Sequence, residues 1–190
     1  MSLSREQKLQ VNQLRQQYMD IFTKWSQNPT NFEHNISCLR DMRQWFTPYM
    51  QLLMPDMEKA QRKMSHGGFF NNLKAAGEMK RSVKIGKKIQ DALFNNDEVR
   101  EHFKQVFAKE PRIIGLTANM SDKHKESIRG NTVISRQDEQ AETFAIKFSD
   151  GTNITLHSLD DQNSLADAKQ FFEEKLKSLE MGQRRAFGMN

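Results

Sequence analysis

A chain of 190 residues with a formal net charge of +5, a mean hydropathy of −0.81 and 36% hydrophobic content has room for one domain or two small lobes around a thin core. Its single cysteine excludes an intrachain disulfide and a multi-cysteine metal site, and no apolar run reaches the ~18 residues of a membrane span. The charge is uneven: residues 1–110 carry 18 Lys and Arg against 12 Asp and Glu, and residues 111–190 carry 11 against 12.

The N-terminus, Met1-Ser2-Leu3-Ser4-Arg5-Glu6, turns polar at once and lacks the apolar core of a signal peptide. The expectation is a soluble cytoplasmic protein of a reducing compartment, with secretion without a cleavable signal left open. In that setting the Asn-x-Ser/Thr triplets at Asn35, Asn119 and Asn153 carry no glycan. Ser4 and Gln7 have capping-box spacing, and Leu14, Tyr18, Ile21, Phe22 and Trp25 recur every three or four residues, which predicts a helix over 5–26 that ends at Asn28-Pro29. Asn31 is placed to cap a second helix with the apolar face Phe32, Ile36, Leu39, Met42 and Phe46, which Pro48 kinks or breaks. Pro55 suits the first turn of a third helix that stops at Gly67-Gly68. A short segment, Phe69–Ala76, then leads to a helix beginning after Gly77. A further helix near 97–109 carries Val99, Phe103, Val106 and Phe107 on one side. Thirteen Phe and eleven Met against two Tyr and two Trp predict packing by bulky, adaptable side chains.

After Pro111 the period changes from helical to alternating. Arg112–Thr117 and Asn131–Ser135 are β-branched runs, and Phe144, Ile146 and Phe148 alternate with Thr143, Ala145 and Lys147 before Asp150-Gly151, Ile154 and Leu156, a hairpin pattern. The charged stretch Asn119–Gly130 has no period and reads as an exposed loop. A closing helix over about 163–179 presents Leu165, Ala168, Phe172, Leu176 and Leu179 to one sheet face. The fold class expected is therefore α+β: a helical N-terminal lobe at 1–110, then a small antiparallel sheet of three to four strands capped by a C-terminal helix at 111–180, and a flexible tail at 181–190. Within the closing helix, Phe171-Phe172-Glu173-Glu174-Lys175-Leu176-Lys177-Ser178-Leu179-Glu180 resembles the acidic C-terminal signals of bacterial type IV secretion substrates, and an ordinary amphipathic helix accounts for the same letters.

Chemistry concentrates in residues 59–88, which hold nine basic side chains against one acid, Glu78. At about 100° per residue, Lys80, Arg81, Lys84, Lys87 and Lys88 share one arc of a helix and Met79, Val83, Ile85, Ile89 and Leu93 the other. Lys59, Arg62, Lys63 and Lys74 are candidates to extend that basic face. It offers mostly lysine point charges rather than bidentate forks and lacks aromatic rings for base stacking, so an acidic protein is the leading partner and nucleic acid the rival. His34 and Cys38, four apart on one helix face, lack a third ligand and read as structural. His66 beside Gly67-Gly68 lacks the Lys-Ser/Thr end of a P-loop, and His102, His124 and His157 are scattered. Glu173 and Glu174 diverge by about 100° and do not form an acid and base pair. Asp160 and Asp161 suit a helix start. Trp25 and Trp45 lie on helix faces as core residues. No catalytic residue, metal or cofactor is nominated. The function expected is that of a non-enzymatic interaction protein, with a nucleic-acid binder, and a translocated bacterial effector or an enzyme of unrecognised type, as alternatives.

Overall fold

The computed structural model describes residues 2–53, 69–123, 126–129, 132–135 and 139–186, and their side chains outside 69–79, 82, 120–141 and 183–186. Helices α1 (Arg5–Gln27), α2 (Phe32–Leu53), α3 (Phe69–Phe94) and α4 (Asp97–Ala108) precede strands β1 (Ile113–Lys123), β2 (Glu126–Arg129), β3 (Thr132–Ser135), β4 (Glu139–Phe148) and β5 (Asn153–Leu156), and helix α5 (Gln162–Ala186) closes the chain. The architecture is α+β, with a helical N-terminal region, a three-stranded antiparallel sheet and a C-terminal helix. Contacts divide the chain into two compact units, Met1–Lys24 with Gln44–Val106, and Trp25–Arg43 with Phe107–Asn190.

In the first unit, α1 begins at the capping box its sequence encodes: the Ser4 amide donates to Gln7 Oε1 at 2.9 Å and the Gln7 amide to Ser4 Oγ at 3.1 Å. The core is aromatic. Tyr18 packs against Phe22, Trp45, Phe94 and Phe103 at centroid distances of 5.1, 4.9, 5.3 and 5.6 Å, mostly edge to face. Burial pushes the Tyr18 phenol up to about 12, with the nearby Tyr49 adding to the shift. The Trp45 indole N–H is satisfied by the Leu14 carbonyl at 2.9 Å. Asn96 caps α4, its side-chain oxygen accepting from the Val99 amide at 2.9 Å.

Two helix boundaries differ from the sequence expectation. Pro48 does not end α2, which runs on to Leu53. A proline inside a helix removes one hydrogen bond, but Trp45 and Tyr49 are both buried and stack at 4.9 Å, so packing on either side of Pro48 holds the helical path. Gly77 does not start a helix either: α3 is continuous from Phe69. Glycine in a helix interior costs only ~1 kcal/mol, less than a break would. The helix expected from Pro55 to Gly67-Gly68 lies outside the described residues.

In the second unit, β4 is the middle strand of the order β1-β4-β5. β1 pairs with β4 from Ile113↔Phe148 to Lys123↔Glu139, with a bulge between Ile113 and Gly115, and β4 pairs with β5 from Lys147↔Asn153 to Phe144↔Leu156. β2 and β3 form a separate two-stranded ladder, Glu126↔Ser135 to Arg129↔Thr132. The stretch 119–130 is thus no loop in its described parts. Its pairs, such as Asn119↔Thr143, Asp122↔Gln140 and Lys123↔Glu139, are polar, so the ladder forms through backbone bonds without the apolar alternation that reveals a strand. The Asp150-Gly151 hairpin is present. Gly151 has φ 86° and its amide donates to the Phe148 carbonyl at 3.0 Å, while the Phe148 amide donates to the Thr152 carbonyl at 2.9 Å.

One face of this sheet, with Ile113, Leu116, Ala118, Phe144, Ile146, Phe148, Ile154 and Leu156, is buried, and Phe172 of α5 packs on Phe148 at 5.9 Å and on Phe32 of α2 at 5.7 Å. Asp161 caps α5: its carboxylate accepts from the Asn163 amide at 3.1 Å and the Ser164 hydroxyl at 2.9 Å. The Ser164 hydroxyl bond, then the backbone bonds, hold the carboxyl below its ordinary value. Arg112 grips the Glu110 carboxylate with Nε and Nη2 and donates through Nη1 to the Leu176 carbonyl at 3.2 Å, fastening α5. α5 continues to Ala186, six residues into the stretch expected as a tail, and 187–190 lie outside the described residues.

Candidate binding face

Helix α3 is held in the first unit by Ile89 and Leu93, both fully buried. On a wheel of about 100° per residue, Lys80, Arg81, Lys84, Lys87 and Lys88 cover an arc of about 120° centred opposite these anchors. All five are exposed, and none makes a hydrogen bond or ion pair with another described residue. The segment Lys80–Lys88 contains no acid, and spans about 12 Å of helix axis at 1.5 Å per residue. Asp91, one turn further on, closes the cationic run. It is exposed, and its carboxylate accepts from the Asn95 side chain at 2.9 Å.

The apolar arc is narrower than the sequence pattern implies. Ile89 and Leu93 are core residues, whereas Val83 is 57% exposed. Its wheel position explains this: Val83 lies about 120° from Ile89, beyond the edge of a stripe pointing at the core. Gly86 lies on the inner side, where a Cβ would meet Leu53 Cδ2 at 3.8 Å, ordinary van der Waals contact. Of the possible extension, Lys59, Arg62 and Lys63 lie outside the described residues. Lys74 is on α3, and its side chain is outside them.

The remaining candidates are dispersed. Cys38 is fully buried and His34 partly so, on the stretch of α2 that belongs to the second unit. His102 Nε2 lies 3.0 Å from the Met19 carbonyl and 3.0 Å from Thr23 Oγ1, a bridge between α4 and α1. His157 is exposed, and His66 and His124 lie outside the described residues. Glu173 and Glu174 are both exposed on α5. Trp25 and Trp45 are core, the Trp25 indole donating to Asn35 Oδ1 at 2.7 Å. Phe172 and Leu176 of the segment Phe171–Glu180 are buried, and Phe171 is 43% exposed with the Lys175 ammonium 5.5 Å from its ring. No group of three or more His, Cys, Asp or Glu among the described residues could hold a metal ion, and no helix of them is long and apolar enough to cross a membrane.

The shifted carboxylates have structural partners. Asp150 is held down to about 2, first by the Thr152 hydroxyl at 2.6 Å and then by the Lys175 ammonium at 2.9 Å. Glu33 is held below its ordinary value by the Lys169 ammonium at 2.6 Å. The sequence did not disclose a groove of about 660 Å³ in the first unit, lined by Gln7, Gln10, Gln13, Gln17 and Gln51 with Glu6, above Leu14, Pro48 and Leu52. Glutamines spaced three and four apart along α1 are its only trace in the letters, and they read equally as a solvated helix face. On α3, Lys80, Arg81, Lys84, Lys87 and Lys88 are thus exposed together with no described anion paired to them. No family model, curated protein or solved structure matches this chain.

Proposed function

We propose that the protein is a non-enzymatic interaction module that docks an acidic protein partner on α3 through Lys80, Arg81, Lys84, Lys87 and Lys88. The observation that carries this reading is the exposure of all five cations on one arc with no described anion paired to them. A like-charged cluster of this kind repels itself, and a carboxylate-rich surface relieves the repulsion on contact. Four of the five are lysines, which act as point charges toward carboxylates of any orientation, and no aromatic ring lies between Lys80 and Lys88 to stack on a base.

Charge reversal tests it. Replacing Lys80, Lys84 and Lys87 by Glu should change unfolding free energy by less than about 0.5 kcal/mol, since these are exposed positions. Capture of acidic proteins should fall sharply, mainly through a slower association rate. A reversed protein that binds every partner as the unmodified one does reduces the face to a solvated surface. Preferential capture of nucleic acid, lost on nuclease treatment and with a log–log salt slope near −0.9 per phosphate neutralised, assigns the face to the rival class instead.

A further inference from the structure

Val83 stands apart from the other apolar residues of α3. It is more than half exposed, and it follows Lys80 by three residues and precedes Lys87 by four, so on a wheel of about 100° per residue it borders the basic arc about 40° beyond Lys87, with the cations on one side of it. An exposed apolar side chain beside a row of charges suits a protein–protein contact, in which a desolvated anchor supplies affinity and the neighbouring charges steer the approach. A purely polyanionic partner, such as a nucleic acid or an acidic homopolymer, would leave Val83 uncovered. Resting on the docking reading given above, we infer that the partner segment is an acidic amphipathic one whose own apolar side chain seats on Val83 while its flanking carboxylates meet Lys80, Lys84 and Lys87. Charge complementarity selects the row of carboxylates, and the placement of Val83 at the edge of the cations selects an apolar residue beside that row. Carboxylates three or four residues apart on a helical partner recur at about 5–6 Å, which matches the spacing of the cations on α3.

A double-mutant cycle with synthetic probes separates this from simple charge attraction. Two helical peptides with Glu at matching i, i+4 and i+7 positions are compared, one with Leu and one with Ser at i+3, beside the Glu row. Both should bind the full chain at low salt, the Leu peptide about five-fold tighter or more. Val83→Ser should remove that difference while leaving the binding of the Ser peptide and its salt dependence unchanged. Equal affinity of the two peptides, or a Leu advantage that survives Val83→Ser, overturns the apolar anchor. It leaves the docking reading standing if reversal of Lys80, Lys84 and Lys87 still abolishes binding. If neither peptide binds, or if that reversal has no effect, the docking reading falls and the anchor with it.

Discussion

Asn35 shows how one polar side chain can organise a turn. It is fully buried, yet its amide is saturated: Oδ1 accepts from the Trp25 indole at 2.7 Å, and Nδ2 donates to the Pro29 carbonyl at 2.9 Å and the Asn31 carbonyl at 2.7 Å. A single residue thus satisfies the indole at the end of α1 and two carbonyls of the connection to α2. Asn35→Ala would orphan the buried Trp25 indole and strip a bond from the half-buried Pro29 carbonyl, while the Asn31 carbonyl keeps the Asn35 backbone amide at 3.1 Å. Each such group costs about 1–3 kcal/mol, part of it recovered by relaxation, so destabilisation of about 2 kcal/mol or more is expected in urea unfolding. A midpoint equal to the unmodified protein's would show that water replaces the amide without loss. The role was not legible in the letters, where Asn35 is an ordinary polar residue in a glycosylation-like triplet. Burial of a polar group is a tertiary outcome that no local period signals.

At the scale of elements, the sequence was most legible where a local rule dominates. The Ser4–Gln7 box, the Asn31 cap and the Asp150-Gly151 turn all occur as their residues demand. Legibility failed where packing or backbone pairing outweighs the local signal. α2 passes through Pro48, α3 through Gly77, and polar strand residues pair beyond Asn119. The basic face was readable as a charge pattern. Exposure of Val83 required the actual orientation of α3, which Ile89 and Leu93 set. Gly86 offers a test of how α3 is held. Space exists for a methyl group there, so Gly86→Ala should stabilise the protein by up to about 1 kcal/mol through helix propensity and a less disordered unfolded chain. A lower melting temperature would mean that α3 packs more tightly against Leu53 than a 3.8 Å contact implies.

For the whole molecule, the contacts group Trp25–Arg43 with the sheet, whereas the change of period in the sequence falls at Pro111. Shifted carboxylates follow the same grouping: Glu33, Asp150 and Asp161, all lowered, belong to the second unit. A carboxyl whose folded value is depressed contributes stability that is present above its unfolded value, here about 4, and lost as pH falls through the folded one, about 2 for Asp150. Amide protection factors should therefore fall in β4, β5 and the first turns of α5 between pH 4 and pH 2. α1 up to Lys24 and α4 should keep more of their protection. Uniform loss of protection over the whole chain would show that these three groups do not set the acid response.

Cys38 gives the molecule its own timing device. The only thiol in the chain is sealed in the interior of the unit that contains the sheet. A thiol-specific reagent can reach it only during an opening event, so under native conditions the labelling rate counts those events directly. Any cysteine placed on the surface, Lys84→Cys for instance, would react first and alone. A spectroscopic tag could then be put on the basic face while the native thiol stays dark.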